Sequence, residues 1–133
     1  MIRFLVAIPL IMHGLANLGG ALAFGGKSPQ GFTTQPSVIS PKLHMHSTFG
    51  RLWGLVWLLS ALALVAAGLA AIFRRDSWLT LSILGSTLSF AAIAPWWNTV
   101  PPGARFGAIF DLFALAILLS PISDWLTAAI LAP

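Results

Sequence analysis

The chain has no cysteine and no tyrosine among its 133 residues. The first absence excludes disulfides, thiolate nucleophiles, Cys-ligated zinc and Cys-bound iron–sulfur clusters. The second excludes tyrosyl acid or radical chemistry. Charge is scarce too: 8% of residues carry it, against about 25% in soluble domains. Only Asp76, Asp111 and Asp124 are acidic. No glycine-rich phosphate loop, nucleophile elbow or pair of carboxylates is present. The reading therefore leans away from an enzyme.

What is abundant is apolar surface, at 58% of residues. A soluble fold of this size leaves much of its chain at the surface and could not hide so much of it. In a bilayer it needs no hiding. The net charge of +4 comes from Arg3, Lys27, Lys42, Arg51, Arg74, Arg75 and Arg105. Almost all stand at the edges of apolar runs, where topology signals and headgroup contacts sit. That placement argues for membrane lipids as partners and against nucleic acid.

The apolar runs predict an all-α fold: an integral membrane four-helix bundle, antiparallel and up-down, forming one transmembrane domain over 1–133. The helices are expected at about 2–24, 49–73, 77–97 and 103–122, with a long loop over 25–48 between the first two. Each of the first three has about the length needed to span a ~30 Å hydrocarbon core. The first run resembles a signal peptide, since Arg3 precedes it and Ala21-Leu22-Ala23 looks like a cleavage site. Its apolar part, however, exceeds the roughly 7–15 residues of a signal core. Arg74-Arg75-Asp76 forms a tight turn, with Ser77 as the expected N-cap of the third helix. Pro95-Trp96-Trp97 should end that helix, and Pro121 should interrupt the fourth. Beyond it, Ile122 to Leu131 either prolongs the span or lies at the interface. The arginine pair and the free N-terminus favour cytoplasmic termini.

Ionisable groups inside a bilayer are expensive and usually face the bundle interior. His13 lies mid-way along the first helix, and Asn17 at i+4 shares its face. The pair suits a ligand: an axial bond to a haem or pigment macrocycle, or a hydrogen bond to a quinone carbonyl. It equally suits a polar clasp between helices. Asp111, two turns into the fourth helix, needs a cation or a proton. Arg51 is its expected partner, because Arg105 is six residues back on the same helix. Trp53, Trp57 and Trp97 gather on the same side, beside Phe49, Trp96 and Phe106. They form either an interfacial belt or a π-rich pocket under the long loop, able to take a quinone, a pigment or a lipid tail. His44 and His46 would need further ligands to hold a metal. Gly50-Arg51-Leu52-Trp53-Gly54 and Gly103-Ala104-Arg105-Phe106-Gly107 echo one another, either as a duplicated helix pair or as ordinary close-packing glycines.

Three stretches carry a resemblance: His13-Gly14-Leu15 with Asn17-Leu18-Gly19; Thr34-Gln35-Pro36 with Gly54-Leu55-Val56-Trp57-Leu58-Leu59; and Ala104-Arg105-Phe106-Gly107. Together they resemble small bacterial four-helix membrane proteins, loosely of the DoxX-like superfamily. That group often carries a second histidine where this chain has Asn17, and asparagine where it has Asp111. The resemblance implies a multi-pass subunit of the bacterial inner membrane, with a quinone or lipid contact and other membrane subunits or further copies as partners. The expectation is a non-catalytic subunit holding a hydrophobic ligand through His13, Asn17, Arg51, Trp53, Trp57, Trp97, Arg105 and Asp111, within a larger and possibly redox-linked complex. Two alternatives stand beside it: a purely structural accessory subunit, and a small proton-coupled transporter or membrane enzyme using Asp111.

Overall fold

A computed structural model describes residues 1–27 and 31–132. It is all-helical among the described residues: α1 (Ile2–Phe24), α2 (Thr48–Ile72), α3 (Ser77–Ile93), α4 (Pro102–Leu118) and α5 (Ile122–Leu131). A 3-10 turn, Ala94–Trp96, extends α3. Three segments are long and apolar enough to cross a membrane: Ile2–Phe24, Thr48–Ile72 and Ser77–Trp96. The α4–α5 pair qualifies as a fourth only if taken as one span, and it is bent by 87°.

Two boundaries differ from expectation. The fourth helix does not reach residue 122 but stops at Leu118. Pro121 has no N–H and its ring would strike the preceding turn. Ser120 completes the break: its hydroxyl donates to Ile117 O at 2.8 Å and accepts from the Ile122 N–H at 3.2 Å. The chain then leaves at nearly a right angle, so α4 and α5 form a broken span or a re-entrant turn and not one straight helix. Nor does Ser77 cap α3. It is the first helical residue, and Asp76 before it is itself helical (φ −57°, ψ −27°) without a capping bond. A cap needs extended backbone to turn its side chain onto the free N–H groups. Here Arg74 at φ 53° lets Arg75 N–H reach back to Ala70 O, so the backbone closes the turn alone. The side-chain cap is found instead at Ser47, which is extended and accepts from Gly50 N–H at 3.1 Å.

The helices pack in chain order, α1 on α2, α2 on α3 and α3 on α4, while α1 and α4 meet only at a few points. Small residues allow the closest approaches. A Cβ at Gly14 would come within 2.9 Å of Ala61 O, and one at Gly68 within 2.9 Å of Ala7 O. Apolar residues fill the core and also cover the outside. Leu5, Leu52, Leu62 and Phe113 are exposed, while Asn17, Ser60, Ser82, Ser86, Ser89 and Asp111 are buried. Such an outer surface suits lipid.

The described part of the long loop, 31–47, is fastened over one end of the helices. Thr33 N–H donates to Thr99 O at 2.8 Å, and Val38 N–H to Pro95 O at 2.9 Å. Ser37 Oγ donates to Pro95 O, and Thr99 Oγ1 to Gln35 O. Beneath it Phe24, Phe32, Trp57 and Trp96 form an aromatic cluster, with Phe24 edge-on to Trp96 at 4.9 Å between centroids. A side chain at Gly20 would overlap the Trp57 indole. Gly20→Leu should therefore destabilise by about 1–3 kcal/mol through overpacking. Unfolding in detergent–SDS mixtures measures it, and unchanged stability would mean that Trp57 is not held there.

Candidate functional site

The helical i, i+4 spacing brings His13 and Asn17 to one interior stripe of α1, and α3 meets that stripe with Ser89. Asn17 Nδ2 donates to Ser89 Oγ at 3.0 Å and to Ser60 Oγ of α2 at 2.8 Å. Ser60 Oγ in turn donates to Gly85 O at 3.1 Å. His13 Nε2 lies 3.0 Å from Ser89 Oγ and 2.9 Å from Asp111 Oδ1. One continuous polar network thus joins all four long helices. Asp111 is fully buried, His13 only 11% exposed.

The partner of Asp111 is His13 and not Arg51, a correction of the expected pairing. Arg51 is exposed and lines a separate groove with His46 and Thr48 at the start of α2. Its helix position points it outward, and a long cationic side chain keeps its head in water more cheaply than inside the bundle. The imidazole supplies Asp111 with a donor at no such penalty. Asp111 Oδ2 has no hydrogen-bond partner.

The network forms the base of a cavity of about 270 Å³ that opens at the α1–α4 seam. His13, Asn17 and Gly20 of α1 line it together with Gly107 of α4, Trp57 of α2 and Phe32 of the loop above. The His13 edge bearing Cε1 and Nδ1 faces Gly107: a Cβ there would come 2.8 Å from Cε1 and 3.5 Å from Nδ1. His13 Nδ1 makes no hydrogen bond to the described protein atoms. With Nε2–H donating to the carboxylate, a neutral ring offers Nδ1 as an acceptor. An imidazolium would offer it as a donor.

Of the expected site residues, the structure brings His13, Asn17 and Trp57 to this cavity, with Asp111 directly behind His13. It does not bring Trp53, whose Nε1–H donates to Ala92 O at 3.2 Å. Trp97 and Arg105 are also elsewhere, stacked on each other with Arg105 Nε donating to Trp97 O at 3.0 Å. The two echoing motifs instead use their last glycines against α1, Gly54 on Phe24 and Gly107 on His13. His44 and His46 find no further ligands: among the described residues no group of three or more His, Cys, Asp or Glu side chains could hold a metal.

Sequence reasoning missed Ser60, Ser89, Gly107 and Phe32. Ser82, Ser86 and Ser89 recur at helical spacing in α3 and are all buried. That periodicity is the legible signal for Ser89, although serine at helix contacts is ordinary in membrane proteins. Comparison of the chain with protein-family models, with curated proteins and with solved structures gives no match. The function must be argued from the site itself.

Proposed function

We propose that this chain is a small multi-pass subunit of the bacterial inner membrane, a four-helix up-down bundle that holds the ring of a hydrophobic small molecule, a quinone first of all, in the cavity beneath its long loop. One observation carries the reading: His13 is anchored through Nε2 by Asp111 and Ser89, while its other nitrogen is free beside the cavity. An anchored ring with one free nitrogen is a positioned donor or acceptor for a carbonyl oxygen. A bound quinone would supply redox chemistry and take up a proton at that oxygen. The chain's own part is to orient the ring between Trp57 and Gly107, exclude water, and present His13 Nδ1 to that oxygen while Asp111 and Ser89 hold the imidazole at Nε2.

Haem and chlorin do not fit as well. The cavity, about 270 Å³, lies below the roughly 300–1,000 Å³ of sites for drug-sized ligands, and a macrocycle needs more than a single ring. Axial ligation would also have to use Nδ1, since Nε2 is engaged. The transporter reading is the weaker one, because Asp111 does not line this cavity. The structural reading keeps one specific observation: Asn17, Ser60 and Ser89 satisfy each other without any ligand.

Purification in mild detergent, with mass spectrometry of the organic extract, separates these readings. A ring-headed redox lipid near one per chain supports the proposal. Bulk phospholipid alone, unchanged by His13→Ala, together with a stoichiometric protein partner, supports the structural subunit and removes the ligand. Topology is tested separately, since a cysteine-free chain makes single cysteines unambiguous. With cytoplasmic termini, Asp76→Cys should resist an impermeant maleimide in intact cells and His44→Cys should react. The reverse pattern would invert the orientation.

A further inference from the structure

The α1–α4 seam contains a second cavity, of about 320 Å³. On α1 it is lined by Leu5, Pro9 and Leu10, and on α4 by Phe110, Ala114 and Ile117. No lining residue is charged, and the one polar side-chain atom among them is the Trp78 indole nitrogen. It lies on the same two helices as the ring cavity, on neighbouring turns. Pro9 precedes His13 by one turn. Gly107, Phe110, Ala114 and Ile117 recur every three or four residues and so form one stripe. The two cavities are neighbours across one contact, where the His13 ring of the first lies against Phe110 of the second, 5.1 Å between centroids. At the far end Leu126 of α5 contributes a wall, brought there by the 87° bend after Leu118.

We propose that this trough holds the hydrocarbon tail of the molecule whose ring occupies the upper cavity. The ligand is then a ring-headed membrane lipid, and it enters sideways from the bilayer between α1 and α4. The inference rests on the ring-site reading above. Its own support is the adjacency of the two cavities along one seam and the change of chemistry at His13–Phe110, polar on one side and apolar on the other. From Phe110 to Leu118 the trough runs about 12 Å at the α-helical rise, so it takes the first part of a long tail and leaves the rest in lipid. A free acyl chain gains little by leaving the bilayer, which is as apolar as leucine. A tail tethered to a seated ring is held in place by its high local concentration.

The experiment uses the full chain in phosphatidylcholine nanodiscs and two probes: a tail-less methoxybenzoquinone, and the same ring with a ten-carbon tail bearing a diazirine at mid-length. Binding of the tail-less probe, read by tryptophan quenching, tests the ring site. Photolabelling of the tailed probe tests the trough. Adducts should concentrate on Leu5–Leu10 and Phe113–Leu118, compete with excess tail-less probe, and fall at least about fivefold in Ala114→Trp while tail-less binding persists. Ile117→Trp repeats the test if Ala114→Trp does not elute as a folded species. Adducts spread over the outer faces at Leu55 and Leu62, or labelling unaffected by both variants, would overturn the trough and leave the ring site standing. No saturable tail-less binding would overturn both.

Discussion

His13→Ala should destabilise the protein by about 1–3 kcal/mol, the cost of leaving a buried polar group without its partner, and Asp111→Asn on top of it should restore part of that loss. His13 is the hydrogen-bond partner of Asp111 Oδ1, and Oδ2 already has none. Alanine at 13 leaves the buried Asp111 side chain without a partner at either oxygen, which is costly inside a fold. Asparagine at 111 keeps the shape and adds N–H donors that can find another acceptor. The single Asp111→Asn variant should be mild, because an amide oxygen can still accept from His13 Nε2. The readout is a double-mutant cycle from SDS-induced unfolding in mixed micelles. If His13→Ala and the double variant are equally destabilised, the two side chains are not coupled and the network described above is not the anchor of α4.

Gly107→Val should lower occupancy of the ring cavity by about tenfold or more while the chain still folds. A Cβ at 107 falls within van der Waals distance of His13, and His13 cannot swing away without leaving Asp111 and Ser89. Overpacking of this kind costs about 1–3 kcal/mol, and each 1.4 kcal/mol is tenfold in binding. Helix propensity does not oppose the change, since valine is no worse than glycine in a helix interior. Arg51→Ala, Trp97→Ala and Arg105→Ala should leave occupancy unchanged, because all three side chains lie outside the cavity. Ligand per chain in the purified variants is the measurement. Loss of ligand in the arginine variants with retention in Gly107→Val would relocate the site to the outer groove.

The helices and the interior stripe were legible for a simple reason. A 20-residue apolar run reads as a helix whatever its neighbours, and His13 and Asn17 at i, i+4 share a face by helix geometry alone. Pro95 and Pro121 likewise announced breaks, because proline acts on its own backbone. The aromatic gathering under the loop was visible only in outline. Trp57 is in the cavity wall, but Trp53 bonds to Ala92 O and Trp97 stacks on Arg105. Which side of a helix each indole takes depends on neighbours that the linear order does not name.

The pairing of Asp111 shows the limit most sharply. From the sequence, Arg51 was the natural counter-ion, since it enters from the same membrane face and opposite charges attract. The fold puts α4 beside α3 and leaves it only loosely against α1, so the group within reach of Asp111 is His13, 98 positions away in the chain. The apolar spans, the scarcity of charge and the polar stripe of α1 follow from local chemistry and were determined by the sequence. The order in which the helices pack, the open α1–α4 seam and the right-angle turn into α5 decide where the cavity is and what it touches. Those depend on contacts between residues far apart, which only the tertiary structure brings together.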